Sequence, residues 1–206
     1  MRSLSLLFGL AMLLVLSGCA SEDSPADSAE TTAEAAAADG AERADGDCET
    51  SRPAEIASPG ACAATTLGGA RLVVDYGSPG VKGREIFGGL EPYGEVWRTG
   101  ANEATTFTTS EDLLVNGDSL AAGTYALFTI PRETEWTVIF NSVAEQWGAF
   151  EYDESADVLR VTATPAATDA LIERFTISFE EAADSRAVMT LAWANTRVPV
   201  SITTAG

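Results

Sequence analysis

Between Val81 and Phe107 the chain reads VKGREIFGGLEPYGEVWRTGANEATTF, a stretch that gathers residue types able to do chemistry: the only lysine, Lys82, with Arg84, Tyr93, Trp97, Arg98, Asn102 and Glu103. Three arrangements fit them. As scaffold, Lys82, Arg84 and Arg98 pair with Glu85, Glu95 and Glu103 while Asn102 caps a turn. As a recognition surface, Arg84 and Arg98 are bidentate donors, Asn102 adds an amide, and Tyr93 or Trp97 offers a ring for a sugar or a small anion; Tyr76 and Glu103 belong to the same candidate set. As a reactive site, Lys82 flanked by Arg84 and Arg98 gives up its proton more readily and serves as nucleophile or base.

Composition removes most other chemistry. The chain has no histidine, which excludes Ser-His-Asp and Cys-His nucleophile pairs, histidine-liganded zinc and a histidine proton shuttle. Glu103 among arginines has its carboxyl pulled downward, the wrong direction for the protonated acid that glycoside hydrolysis needs. Glu151, Asp153, Glu154 and Asp157 in EYDESADVLR offer hard oxygens but lack the spacing of a calcium loop, and they read as an acidic solvated hairpin. No cofactor motif and no metal set is found.

These groups need a frame, and the frame is written in alternation. Phe175, Ile177 and Phe179 point one way while Arg174, Thr176, Ser178 and Glu180 point the other. The same period runs through Leu72, Val74, Tyr76; Leu159, Val161, Ala163; Met189, Leu191, Trp193; and Val198, Val200, Ile202. GTYALFTI from Gly123 and WTVIFN from Trp136 are apolar on both faces and are expected to be central strands. The Asn116, Gly117, Asp118 triplet signals a hairpin, and SVAEQWG from Ser142 allows one helical turn. The fold class expected is all-β: an antiparallel β-sandwich, immunoglobulin-like or jelly-roll-like, of eight to ten short strands over residues 65–206. Gly77, Pro79, Gly80, Gly83, Gly88, Gly89, Pro92 and Gly94 make the candidate segment an ordered irregular loop carried by that sheet. With Trp97 inward, alternation turns Arg98 outward.

The strings YGSPGVKGREIFGGLEPYGEVWRTGANEATTF, LAAGTYALFTIP, EWTVIFN, QWGAFEYDESADVLRV and ERFTISFE closely resemble the bacterial family catalogued as domain of unknown function 2911, in order and without gaps from about Leu67 to Ile202. The resemblance implies a secreted or lipid-anchored β-rich protein and brings no established activity. Ser78 stands where the family pattern usually has a basic residue.

The first 64 residues carry a different message. Arg2, the apolar run Leu4 to Leu16 and LSGC ending at Cys19 have the layout of a lipoprotein signal over residues 1–18. Acylated Cys19 is the expected membrane anchor, each buried methylene contributing about 0.8 kcal/mol. From Ala20 to Ala64 there is no aromatic residue and Ile56 is the one large aliphatic; residues 19–64 are expected to be the lipidated cysteine and a disordered acidic tether spanning roughly 35 to 40 Å. Cys48 and Cys62 are expected to pair in the oxidising envelope, where such a loop contributes up to about 3 kcal/mol.

A formal charge of -19 disfavours nucleic acid and anionic lipid headgroups as partners. The expectation is a bacterial cell-envelope lipoprotein whose loop binds a small polar or anionic ligand, sugar-like or carboxylate. The alternatives are a histidine-free enzyme using Lys82 and a structural or protein-binding envelope module.

Overall fold

The computed structural model describes residues 48–183 and 185–205; the signal segment, Cys19 and the acidic stretch up to residue 47 lie outside the described residues. Ten strands form two antiparallel sheets. They are β1 (Gly60–Leu67), β2 (Ala70–Gly77), β3 (Thr105–Thr109), β4 (Leu113–Val115), β5 (Asp118–Leu120), β6 (Gly123–Ile130), β7 (Trp136–Asn141), β8 (Asp157–Ala163), β9 (Ala166–Ala183) and β10 (Arg186–Thr204). The larger sheet has the order β1-β2-β3-β6-β7-β8 and the smaller β5-β4-β10-β9.

Alternation sets which face each strand buries. Leu72, Val74 and Tyr76 face Phe175, Ile177, Phe179, Met189, Leu191 and Trp193 in one continuous core. As β6 and β7 lie inside the larger sheet, both of their faces are covered: Leu127 and Phe140 enter the core, whereas Ala126, Phe128 and Ile139 form a second cluster on the outer face with Ala104. The hairpin expected at Asn116 joins β4 to β5, with φ of 49° at Asn116 and 98° at Gly117, the left-handed pair that matches strand twist.

Two strands are not short. β9 and β10 run 18 and 19 residues. Within β10 the inward set changes phase, from Met189, Leu191, Trp193 to Val198, Val200, Ile202. The cause is a bulged stretch with register shifts between Ala192 and Thr196 and a left-handed Ala194, because one extra residue reverses every later side chain. Ordered structure also begins earlier than Thr65: β1 includes Gly60 to Ala64, and residues 48–59 lie against the larger sheet.

The long connection from β2 to β3 closes the sandwich. After Gly77 the chain crosses to the smaller sheet, where Phe175 N donates to Pro79 O (2.9 Å) and Val81 N to Glu173 O (2.7 Å). It then seals the end of the core with Val81, Ile86 and Phe87 and returns to the larger sheet, Trp97 exchanging backbone bonds of 2.7 and 2.9 Å with Thr129 of β6. Gly77 allows the close return of the chain, since a Cβ there would stand 2.2 Å from Ala101 O. Trp97 lies stacked on Trp193 (ring centroids 5.7 Å apart, planes at 18°) and edge-on to Phe175, Phe87 and Trp136.

Trp97→Ala is expected to cost about 3 to 5 kcal/mol through loss of a fully packed ring, whereas Trp147→Ala, at a side chain 57% exposed, is expected to stay within about 0.5 kcal/mol. Urea midpoints of the two variants check the contrast.

Candidate functional site

The residues singled out in the loop do not converge. Tyr76 and Trp97 are each 3% exposed, so neither offers a surface to a ligand. The Tyr76 hydroxyl bonds the backbone of Ile177 and its pKa is raised by burial, and Trp97 Nε1 donates to Gly100 O at 3.1 Å. Lys82 is exposed beside β9, its backbone N–H donating to the Glu173 carboxylate at 2.9 Å. Arg84 spends Nε and Nη2 on the carbonyls of Val81 and Gly80, at 3.1 and 2.6 Å. Tyr93 lines a small hollow of about 170 Å³ with Phe87, Arg132 and Trp136. Asn102 holds a left-handed turn (φ 66°) and donates Nδ2 to Ser58 O at 3.2 Å.

The scaffold pairing is also replaced. Among the described residues no ion pair joins Lys82, Arg84 or Arg98 to Glu85, Glu95 or Glu103. The partner of Glu103 is Arg52 (3.1 Å), from the stretch expected to be disordered. Ser78 is buried and donates Oγ to Phe175 O at 2.7 Å. Asp157 is taken up by Asn141, Tyr152 and Arg160, and Asp153 accepts from Ser155 N to cap the 3₁₀ turn Glu154–Ala156. These acids are structural.

Arg98 does point outward, onto the outer face of the larger sheet beneath the segment 142–152. Its Nε is enclosed and makes no hydrogen bond. Its Nη1 and the edge of the Phe150 ring both lie within 3.3 Å of the point where a Cβ on Gly148 would stand. Nearby, burial lifts the Glu91 carboxyl to about 7 against the opposing pull of the Arg98 and Arg84 charges.

On the same outer face a groove of about 720 Å³ runs between two walls. Ser51, Arg52 and Pro53 make one wall, Ala144, Glu145 and Gln146 the other, and Asp75, Ala104, Thr106 and Thr124 the floor, with Glu103 also lining it. The first wall is a strap pinned by the Cys48–Cys62 disulfide. Thr50 and Ser51 hydroxyls donate to the two oxygens of Asp75, at 2.5 and 2.9 Å. Arg52, its side chain 7% exposed, donates Nη1 to Glu103 and its carbonyl and Nη2 to the carbonyls of Asp75 and Ala104. Its Nε stands 3.3 Å from Asp75 Oδ1 without the alignment of a hydrogen bond, an ion contact only.

The second wall is extended backbone rather than a helical turn. Ala104 N donates to Gln146 O at 3.0 Å, and Glu103 and Trp147 form an antiparallel bridge. Gln146 is 9% exposed; its Nε2 donates to Val143 O at 2.7 Å, while its Oε1 accepts nothing. An enclosed acceptor without a donor costs about 1 to 3 kcal/mol.

Arg52 and Gln146 lay beyond the sequence reading. Arg52 sits in a stretch whose composition signals disorder, and Gln146 is an ordinary amide until its backbone pairs with Ala104. The arrangement defines a class: an antiparallel β-sandwich that is closed at one end by its own loop and offers a polar groove on the outside of its larger sheet. A family model described as "Protein of unknown function (DUF2911)" matches residues 58–202, and the chain belongs to that family. No curated protein and no solved structure matches the chain. The strap from Cys48 to Pro53 precedes the matched region, whereas the groove floor and the second wall lie within it.

The Glu91 carboxyl generates a pH dependence. The folded protein holds this proton more tightly than the unfolded chain, so the stability it contributes is complete below the ordinary carboxylate range and is lost as pH rises through about 7. Unfolding free energies of the native protein and Glu91→Gln should diverge by about 2 kcal/mol between roughly pH 4 and 8, the native protein losing more. Parallel curves would remove Glu91 from this role.

Proposed function

We propose that this protein is a binding module held at the bacterial cell envelope by acylated Cys19, and that it takes a small polar ligand in the outer groove of its larger sheet. The observation that carries the reading is the groove itself, lined by the hydroxyls of Ser51, Thr106 and Thr124, by the carboxylates of Asp75, Glu103 and Glu145, and by Arg52, whose Nη groups are held by the protein. Tyr76 and Trp97 are in the core, and Tyr93, 43% exposed, stands at the separate hollow with Arg132, which moves the ligand away from the rings of the glycine-rich loop. Asp75, Glu103 and Glu145 outnumber Arg52 in the groove, and this disfavours the anionic ligand in favour of a neutral or cationic one. Lys82, on which the enzyme alternative rests, stands at the edge of the other sheet beside Glu173.

Two measurements test the reading. In cells, Cys19→Ser is expected to abolish incorporation of labelled fatty acid and to move the protein from the membrane pellet to the supernatant; unchanged labelling and sedimentation would refute the anchor. For the groove, a thermal-shift panel of neutral sugars, amino sugars, amino acids and dicarboxylates should contain a neutral or cationic compound that raises Tm. Thr124→Trp, at an exposed position on the floor, should abolish that shift without lowering the Tm of the free protein by more than a few degrees, since surface changes cost about 0.5 kcal/mol. A shift that survives the occluding tryptophan places the ligand elsewhere.

A further inference from the structure

The chain has four tryptophans, and three of them, Trp97, Trp136 and Trp193, are between 1% and 3% exposed. Trp147 is 57% exposed and stands on a segment that also exposes Val143 at 49% and Phe150 at 84%. An exposed ring of this size is not explained by the core, whose cluster does not include it. Nor is it on a loose tip: the antiparallel bridge to Glu103 and the bond from Ala104 N to Gln146 O fix the backbone on both sides. Residues directly opposed in an antiparallel pair put their side chains on the same face. The indole of Trp147 therefore rises on the side of Glu103, next to the groove, whose lining includes its neighbour Gln146 but not Trp147 itself.

The polar lining narrows what would sit against that ring. Arg52 takes only Oε2 of Glu103, which leaves Oε1 as an acceptor. Thr106 and Thr124 bring hydroxyls that both donate and accept, that of Thr124 being shared with Thr108 at 3.0 Å. Asp75 is already engaged by Thr50, Ser51 and Arg52, which leaves Glu145 and the second oxygen of Glu103 as the carboxylate groups that a ligand meets. Many weak donors and acceptors beside one exposed apolar ring suit a ligand with hydroxyls on its edge and C–H groups on its face.

Resting on the groove as the binding site, we propose that the ligand is a neutral pyranose sugar unit stacked on Trp147, with its hydroxyls bonded to Glu103 and the threonines of the floor. Trp147 is then the specificity residue, since a ring face recognises the flat C–H surface of a pyranose and gains nothing from a linear polyol or a small anion.

The test uses the full mature chain and its intrinsic fluorescence. Acrylamide quenching reads Trp147 almost alone, the other three indoles being enclosed. The probes are cellobiose, maltose and N,N′-diacetylchitobiose as neutral pyranosides, glucosamine as the cation, glucuronate as the anion and sorbitol as the linear polyol. At least one neutral pyranoside should protect Trp147 from quenching saturably below about 10 mM, while glucuronate and sorbitol do not. Trp147→Ala should weaken that sugar at least about tenfold with Tm unchanged, and Thr124→Trp should abolish its binding.

Absence of saturable protection by every neutral pyranoside overturns the sugar assignment. If glucosamine or an amino acid binds, is blocked by Thr124→Trp and is indifferent to Trp147→Ala, the groove stands and the sugar proposal falls. A sugar whose binding survives Thr124→Trp refutes the groove itself.

Discussion

The position of Trp97 decides most of what this molecule presents to its surroundings. Its indole enters the space between the sheets against Trp193, Phe175, Phe87 and Trp136, and a ring of this size buries on the order of 200 Å². To place it there the chain must leave β2, pass under β9, cross the open end of the sandwich and return beside Thr129. The glycines and prolines of the segment serve that route. A loop whose apolar residues close a core has few side chains left to shape a cavity, so the most distinctive stretch of the sequence is a plug. Alternation next to Trp97 then turns Val96 and Arg98 to the outer face, where the groove and the second cluster lie.

Strand identity was legible because it depends on neighbours two residues apart. The inward sets at Leu72, Phe175 and Val198, the doubly buried β6 and β7, and the Asn116 hairpin all follow from local pattern and turn chemistry. The join in β10 was not, because a bulge and a turn leave the same trace, a change of phase. Arg52 was illegible for another reason. Its partners Asp75 and Glu103 lie 23 and 51 residues away in sequence, and composition argued for disorder. A single arginine with five donors, placed where three carbonyls and two carboxylates converge, orders a segment that has almost no apolar surface of its own. The Cys48–Cys62 pairing was readable from redox context, and it holds the strap's start against β1.

The candidate site was legible only as residue types. Tyr76 and Trp97 were chosen as rings and Lys82, Arg84 and Arg98 as charges, yet which face each reaches is set by pairing with strands far along the chain. Arg84 turns back on its own loop carbonyls, Lys82 lies beside Glu173, and Glu103 is claimed by the strap. Nothing local distinguishes Trp147 from the three tryptophans that are buried. Its exposure follows from the bridge to Glu103, a contact across 44 positions that no periodicity reports.

The second wall keeps its shape through a network of its own. The Tyr152 ring packs edge-on to Phe128 at 5.0 Å, and its hydroxyl, raised to about 12 chiefly by burial and also by its bond to Asp157, donates to that carboxylate at 2.6 Å. Arg160 ties Asp157 and Glu154 together, and Asn141 joins Asp157 to the carbonyl of Asp153. These bonds fix the far end of the segment that carries Gln146, Trp147 and Phe150. With its near end bridged to Glu103, the segment cannot fold its aromatic residues down onto the sheet, where Ala126 and Ile139 are already covered by Ala149 and Tyr152. Exposure of Trp147 is thus imposed by the frame rather than left by a lack of packing partners. A frame that holds an apolar ring in water has the preorganisation that lowers the cost of binding.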